Sequence, residues 1–304
     1  MALIWLPAAL IGGVLQAWRT AAQQRLRASL SVNAAALVRY LFGLPFALVL
    51  LALFAAIFDP GMVPPLGPMF WLWCLAGGLA QIIATNLLIM AFGYRNFVVG
   101  TAYSKTEALQ TAIFAWALLG EQLHWLAWAG IMLGLVGILI LSFRGSGAGA
   151  GAMLRDLGSP VARAGIASGF FFGITAVLIK MATQEVDHAD GSWRALIVLV
   201  VVLAMQSAMQ GGYIMLRERE QFAAMARQWR QCTATGFLAA TGSACWFVAF
   251  VFAPVAMVRI VGQVETIFTL VFGHFYLREP IARHEVAGLL CIAAAIMLAL
   301  AGTL

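Results

Sequence analysis

The chain has 304 residues, of which 63% are hydrophobic and only 10% charged, where a soluble protein carries about a quarter charged residues. A mean hydropathy of +0.95 excludes a compact aqueous domain, a disordered chain and a nucleic-acid-binding module, and leaves the bilayer as solvent for the apolar surplus. The net charge of +6 is read as basic loops facing the cytoplasm and not as a polyanion-binding surface.

At about 20 residues per transmembrane helix the length holds roughly ten spans. Continuous apolar runs, as opposed to alternating ones, predict helices at about 3–23, 33–58, 69–92, 97–120, 123–143, 161–182, 192–216, 232–253, 255–277 and 285–303. The first run carries Gln16, Trp18 and Arg19, and no basic segment precedes it as in a signal peptide. Arg39 lies about 9 Å into the second run by helical rise, near enough to its end to snorkel. The third holds Gln81, Thr85 and Asn86, and the fourth Tyr103, Lys105 and Glu107. The fifth has small residues at Gly130, Gly134 and Gly137, which allow close helix contact. Lys180 sits near the end of the sixth, where an interfacial position is expected. Trp246 lies in the eighth, and Arg259, Gln263 and Glu265 in the ninth. Cys74, Cys232, Cys245 and Cys291 form no CxxC pair, so neither a disulfide framework nor a zinc site is indicated.

Lys and Arg near the membrane give an orientation. The loops after spans 1, 3, 5, 7 and 9 hold Arg25, Arg27, Arg95, Arg144, Arg155, Arg163, Arg217, Arg219, Arg227, Arg230, Arg278 and Arg283, whereas 59–68 and 120–123 hold no Lys or Arg. The odd-numbered loops are therefore expected in the cytoplasm, with both termini outside, in a bacterial-type inner membrane.

Residues 91–143 and 249–301 align without gaps at an offset of 158 residues. The identities pair Glu107 with Glu265, Thr111 with Thr269, Phe114 with Phe272, Glu121 with Glu279, and Gly130 with Gly288. Upstream, Gly13 lines up with Gly169. An odd number of spans per unit places the two halves in opposite orientations, an arrangement suited to alternating access around a midplane site. The expected fold is all-α and polytopic: ten transmembrane helices as two inverted five-helix repeats, residues 1–146 and 161–304, joined by a Gly-rich cytoplasmic linker at 147–160.

The segments Glu107-Ala-Leu to Leu119-Gly-Glu121 with Gly130, and Glu265-Thr-Ile to Leu277-Arg-Glu279 with Gly288, resemble the paired halves of the EamA-type, ten-helix branch of the drug/metabolite transporter superfamily. Ala108 and Thr266 stand where that pattern has Pro, and Arg278 where it has Gly, so the sequence gives no reason for a local helix break at either glutamate. The resemblance implies a secondary transporter, an exporter of amino acids or related small metabolites. A lipid or polyprenyl-headgroup flippase of the same fold is the alternative.

Acids within spans are costly to insert and mark functional sites by default. Two readings of Glu107 and Glu265 stay open: helix-packing hydrogen-bonders holding the halves together, or cavity-lining groups that bind substrate or a proton. A carboxyl in low dielectric favours its neutral form, which suits protonation-coupled exchange. The candidate cavity set is Glu107, Glu265, Arg19, Lys105, Arg259, Tyr103, Gln263, Trp18, Gln81, Asn86 and Trp246. Coexisting cations and acids suit zwitterions or anions: a basic side chain for a substrate carboxylate, a glutamate for its ammonium. Glu121 and Glu279 are read as structural caps on the helices that follow them. No HExxH, nucleophilic-serine or Walker motif appears, so neither an enzyme nor an ATP-driven pump is expected. No cofactor, metal or nucleic acid is implied, and the expected partners are a small solute, protons if transport is coupled to them, and the lipid, with a monomer sufficient.

Overall fold

The computed structural model describes residues 4–94, 97–142, 158–278 and 283–302, and every regular element among them is an α-helix. In chain order these are α1 (Trp5–Leu26), α2 (Val32–Leu41), α3 (Leu44–Phe58), α4 (Pro68–Tyr94), α5 (Phe97–Ser104), α6 (Glu107–Leu119) and α7 (Trp125–Ser142), then α8 (Pro160–Gln184), α9 (Gly191–Arg217), α10 (Glu220–Arg227), α11 (Trp229–Phe252), α12 (Val255–Gly262), α13 (Glu265–Phe275) and α14 (Arg283–Ala301). By length and composition, six segments can cross a membrane: Val32–Phe58, Pro68–Gly93, Pro160–Gln184, Gly191–Arg217, Trp229–Phe252 and Val255–Phe275; Trp125–Ile138 and Val286–Ala301 are shorter apolar helices. With α1 and the α5–α6 pair they fall on the ten expected runs. Most of the linker 147–160, together with Arg95, Arg144, Arg155 and Glu279, lies outside the described residues. Ser159 opens the second half: its Oγ accepts from the Ala162 amide at 3.3 Å, and Pro160 takes the first helical position.

Three expected spans are interrupted. The second bends at Phe42-Gly43, ahead of Pro45, which cannot continue the backbone ladder. A Cβ on Gly236 of α11 would lie 2.4 Å from the Phe42 carbonyl carbon, so the bend is seated directly on that glycine. The fourth and ninth spans, expected to be continuous, tighten at equivalent positions, residues 105–106 and 263–264. At both places the amides turn to carbonyls three residues back: Lys105 to Ala102 at 3.0 Å, Gln263 to Ile260 at 3.1 Å, and Val264 to Val261 at 3.1 Å. A 3₁₀ turn needs no proline, which is why replacing Pro with Ala108 and Thr266 does not restore continuous helices. Glu107 and Glu265 become the first residues of new helical segments.

The loop after the seventh span also differs from expectation, since it contains α10. Its start is anchored to the first half: Asn33 Nδ2 donates to Glu218 Oε1 at 2.6 Å, the Ser31 amide donates to Gln221 Oε1 at 2.9 Å, and Ser31 Oγ donates to Glu218 Oε2.

The halves interlock reciprocally. α4 packs on α8 while its repeat partner α11 packs on α1; α6 packs on α8 while α13 packs on α1. Ser168 Oγ donates to Ala84 O at 2.8 Å, and Thr175 Oγ1 reaches Gly77 O at 3.4 Å, so α4 and α8 run antiparallel. α7 and α14 meet at glycines: a Cβ on Gly130 would lie 2.7 Å from Ala295 O, and one on Gly137 2.8 Å from Gly288 O. Close backbone approach of this kind is how helices associate where no hydrophobic drive acts between them. The periphery stays apolar and exposed, as at Leu48, Val49, Leu53 and Ile57 of α3. A contiguous surface of that kind is made for lipid.

Candidate functional site

The two helix breaks bring the charged residues of both halves together. Glu265 Oε2 accepts from Lys105 Nζ at 2.5 Å and from Gln16 Nε2 of α1 at 2.7 Å. Glu107 Oε1 lies 3.5 Å from Arg259 Nη1 and 4.0 Å from Lys105 Nζ. The break of each half is thus tied to the other half through an ion pair. Both carboxylates occupy the first position of a helix, where the dipole favours negative charge. The Arg259 guanidinium stands over the rings of Trp246 at 4.9 Å and Phe250 at 5.2 Å, a cation–π seat in a desolvated place.

Two further guanidiniums complete the cluster. Arg19 lies one turn from Gln16 on α1, and its charge interacts with Glu265, Arg39 and Arg259. Arg39, expected to snorkel, is instead buried, donating to Thr85 Oγ1 at 3.3 Å and Ser243 Oγ at 3.4 Å. The reason is the shape of α2: Ala34, Ala35 and Ala36 are fully buried and draw the helix between its neighbours, leaving no path to water. Tyr40 beside it donates to Thr85 Oγ1 at 3.0 Å. Arg19, Arg39, Lys105 and Arg259 are each at most 6% exposed, and Glu107 and Glu265 at most 5%. Four cations therefore surround two carboxylates in a site closed to water.

The rest of the expected set distributes around this cluster. Gln263 lies buried in the second break, and Trp246 forms the floor under Arg259. Tyr103 is buried where α5 meets α8, against Val161, Ala162 and Ala164. Gln81 is occupied by Gln206, whose Nε2 donates to its Oε1 at 2.9 Å. Asn86 belongs to a separate polar junction, donating to Asn33 Oδ1 at 3.2 Å and accepting from Gln210 Nε2 at 3.1 Å. Trp18 faces away: it is 45% exposed and stacks on Phe272 with ring centroids 5.9 Å apart. The 100° step between neighbours turns Trp18 outward whenever Arg19 points in.

Glu121 caps a different helix from the one expected. Its Oε2 accepts from the Val255 amide at 2.8 Å, the first residue of α12 in the other half, and its Oε1 from Lys180 Nζ at 2.7 Å. Lys180 also donates to Ala253 O at 2.9 Å. The expected interfacial lysine is thus part of a latch joining α6, α8 and the start of α12 at one end of the bundle. Glu279 falls outside the described residues.

Arg39 and Gln16 are the residues that sequence reasoning did not select. A run of alanines ahead of Arg39 signals a buried helix face, and Gln16 shares a helix face with Arg19 at i and i+3.

A family model described as the EamA-like transporter family matches residues 3–143 and again residues 161–301, once for each half. A solved structure titled only "Crystal structure of protein" is similar to 96% of this chain over 96% of its own, with a TM-score of 0.67 and 15% sequence identity; at that identity the likeness is one of fold. No curated protein matches this chain.

Proposed function

We propose, from the premise that the chain belongs to the EamA-like transporter family, that it is a secondary carrier moving small metabolites, amino acids among them, across the inner membrane by alternating access. Export is the proposed direction, with the odd-numbered loops in the cytoplasm. The observation that carries this reading is the cross-half pairing of Lys105 with Glu265 and of Arg259 with Glu107. Charges that hold two inverted halves together at their hinges are the groups that must exchange partners when the halves rock.

The mechanism follows from the same geometry. Lys105 Nζ lies 2.5 Å from one carboxylate and 4.0 Å from the other. A proton taken by Glu265 weakens its hold on Lys105, which then turns to Glu107, and the two 3₁₀ turns absorb the motion. In flux measured on proteoliposomes with a mixed metabolite pool, read by mass spectrometry, selective movement of some solutes is expected. Glu265→Gln should abolish or flatten its pH dependence. Wild-type flux and an unchanged pH profile in both Glu107→Gln and Glu265→Gln would remove proton coupling from the account.

A second reading, headgroup flipping, has one observation in its favour. A groove of about 390 Å³ lies between α1, α11 and the end of α13, lined by Trp18, Ala22, Arg230, Leu238 and Tyr276. Movement of labelled lipid headgroups, with none of the soluble solutes, would favour it.

A further inference from the structure

We infer that the substrate of this site carries two negative charges, as a dicarboxylate or a phosphate monoester does, and that it binds between Arg19 and Arg39. The inference rests on the carrier reading above and goes further in naming the ligand's charge.

A zwitterion needs a free carboxylate for its ammonium, and among the described residues the site offers none. Glu265 is occupied by Lys105 and Gln16, and Glu107 by Arg259 with Lys105 behind it. These contacts balance two of the four cations. Among the described residues, the hydrogen-bond partners of Arg19 and Arg39 are hydroxyls, Thr20 for Arg19 and Thr85 and Ser243 for Arg39, and Arg39 also stands over the Tyr40 ring at 5.6 Å. Arg19 Nε and Nη1 and Arg39 Nε are buried without a hydrogen-bond partner. Both residues are at least 97% buried, so bulk water does not serve these donors in this conformation. Planar donors of this kind match the oxygens of carboxylate and phosphate, and a buried guanidinium without a counter-charge is stabilised by an anion that supplies one.

The repeat points the same way. At the offset of 158 residues the glutamates pair with each other, whereas Lys105 meets Gln263 and Arg259 meets Thr101; in the Gly13–Gly169 register Arg19 meets Thr175. Thr175 simply bonds back to Phe171 O at 2.7 Å and across to Gly77 O. The carboxylates are thus common to both halves, whereas each cation stands in one half without a charged counterpart, Arg19 and Lys105 in the first and Arg259 in the second. Those unmatched cations are what set the ligand.

The test uses the full-length protein in detergent and in proteoliposomes. Thermal unfolding is followed with succinate, inorganic phosphate, alanine and chloride at matched ionic strength. Succinate or phosphate is expected to raise the melting temperature by several degrees over chloride, with alanine giving no shift; the better of the two tells a dicarboxylate from a phosphate site. Arg39→Gln and Arg19→Gln should each weaken that dianion about tenfold or more, while Arg39→Lys, which keeps the charge and loses the fork, should fall between. Two results overturn the inference: no dianion effect beyond chloride, or an effect unchanged in both arginine variants. Selective flux of neutral amino acids with no inhibition by either dianion overturns it as well, yet leaves the carrier reading standing. Dianion stabilisation without flux of any solute would instead overturn the carrier reading and keep the site.

Discussion

Lys105 Nζ lies 2.5 Å from Glu265 Oε2, and each residue sits at the helix break of a different half. The contact is a buried ion pair, so its two partners are not independent. Glu265→Gln removes one charge and leaves Lys105 in low dielectric, at a cost of about 3–5 kcal/mol. The melting temperature of the purified protein is expected to fall sharply, even though an amide oxygen still accepts from Gln16. Adding Lys105→Met should recover most of that loss, because removing both members of a buried pair is often near neutral. Flux through both should lack the wild-type pH dependence, since the double variant restores packing without restoring the exchangeable contact. Equal melting temperatures for the single and the double variant would show that the pair is not coupled.

Arg278 and Gly120 give a second expectation. They are equivalent in the repeat, and both adopt the left-handed region, with φ of +62° and +65°. Glycine takes that conformation freely, whereas a residue with a Cβ meets the following carbonyl and loses about 1–2 kcal/mol. Arg278 is exposed, so replacing it removes little packing. Arg278→Gly should therefore raise the melting temperature by a small amount, reduced by the entropy glycine gains in the unfolded chain. Gly120→Ala should lower it. A drop for Arg278→Gly would mean that the side chain contributes more than its backbone costs.

The number of spans and the repeat were legible because both are written in hydropathy and in paired residues at one offset. The hinges were not. A 3₁₀ turn at Lys105-Thr106 and at Gln263-Val264 leaves no mark in residue type, and the missing prolines argued against it. What reveals the breaks is tertiary: a Cβ on Gly169 would lie 3.1 Å from the Glu107 amide, and one on Gly13 3.5 Å from the Glu265 amide. Each glycine seats a neighbouring helix on a break, and a single chain read alone shows only that Gly13 and Gly169 align. Arg39 was misplaced for a related reason. Distance along a helix says how far a side chain is from the end, and says nothing of which neighbours block its way out.

The latch at Glu121 should bias the carrier's conformation. Glu121 holds both Lys180 and the Val255 amide, and its repeat partner is Glu279, while Lys180 aligns with Gln24. Where the second half carries the charged Lys180, the first half therefore carries the amide of Gln24. Glu121→Gln keeps an acceptor for Val255 and removes the charge, weakening a bond of about 1.5–3 kcal/mol. In a background lacking the four native cysteines, Ala253→Cys is expected to react several-fold faster with an impermeant maleimide when Glu121→Gln is added. Ala253 is the carbonyl partner of Lys180 and is 7% exposed, so its labelling reports opening of that end. Unchanged labelling would mean that packing alone holds the end shut.

The unbalanced charge at Arg19 and Arg39 has a kinetic consequence. An empty carrier must pass through the closed arrangement with two cations uncompensated, and each buried ion without a counter-charge costs several kcal/mol. A dianion removes that cost, so the loaded carrier reorients faster than the empty one. Each 1.36 kcal/mol of difference is tenfold in rate. Exchange is therefore expected to outrun net release: efflux of labelled succinate or phosphate from proteoliposomes should accelerate at least tenfold when the same solute is present outside. Arg19→Gln lowers the empty carrier's penalty along with its affinity, so the ratio of exchange to net efflux should fall, even where total flux falls less. A wild-type efflux indifferent to external solute would show that the empty carrier crosses freely. The cluster would then have to be neutralised by an anion bound on the return stroke, and repeating the efflux at a series of chloride concentrations would show it.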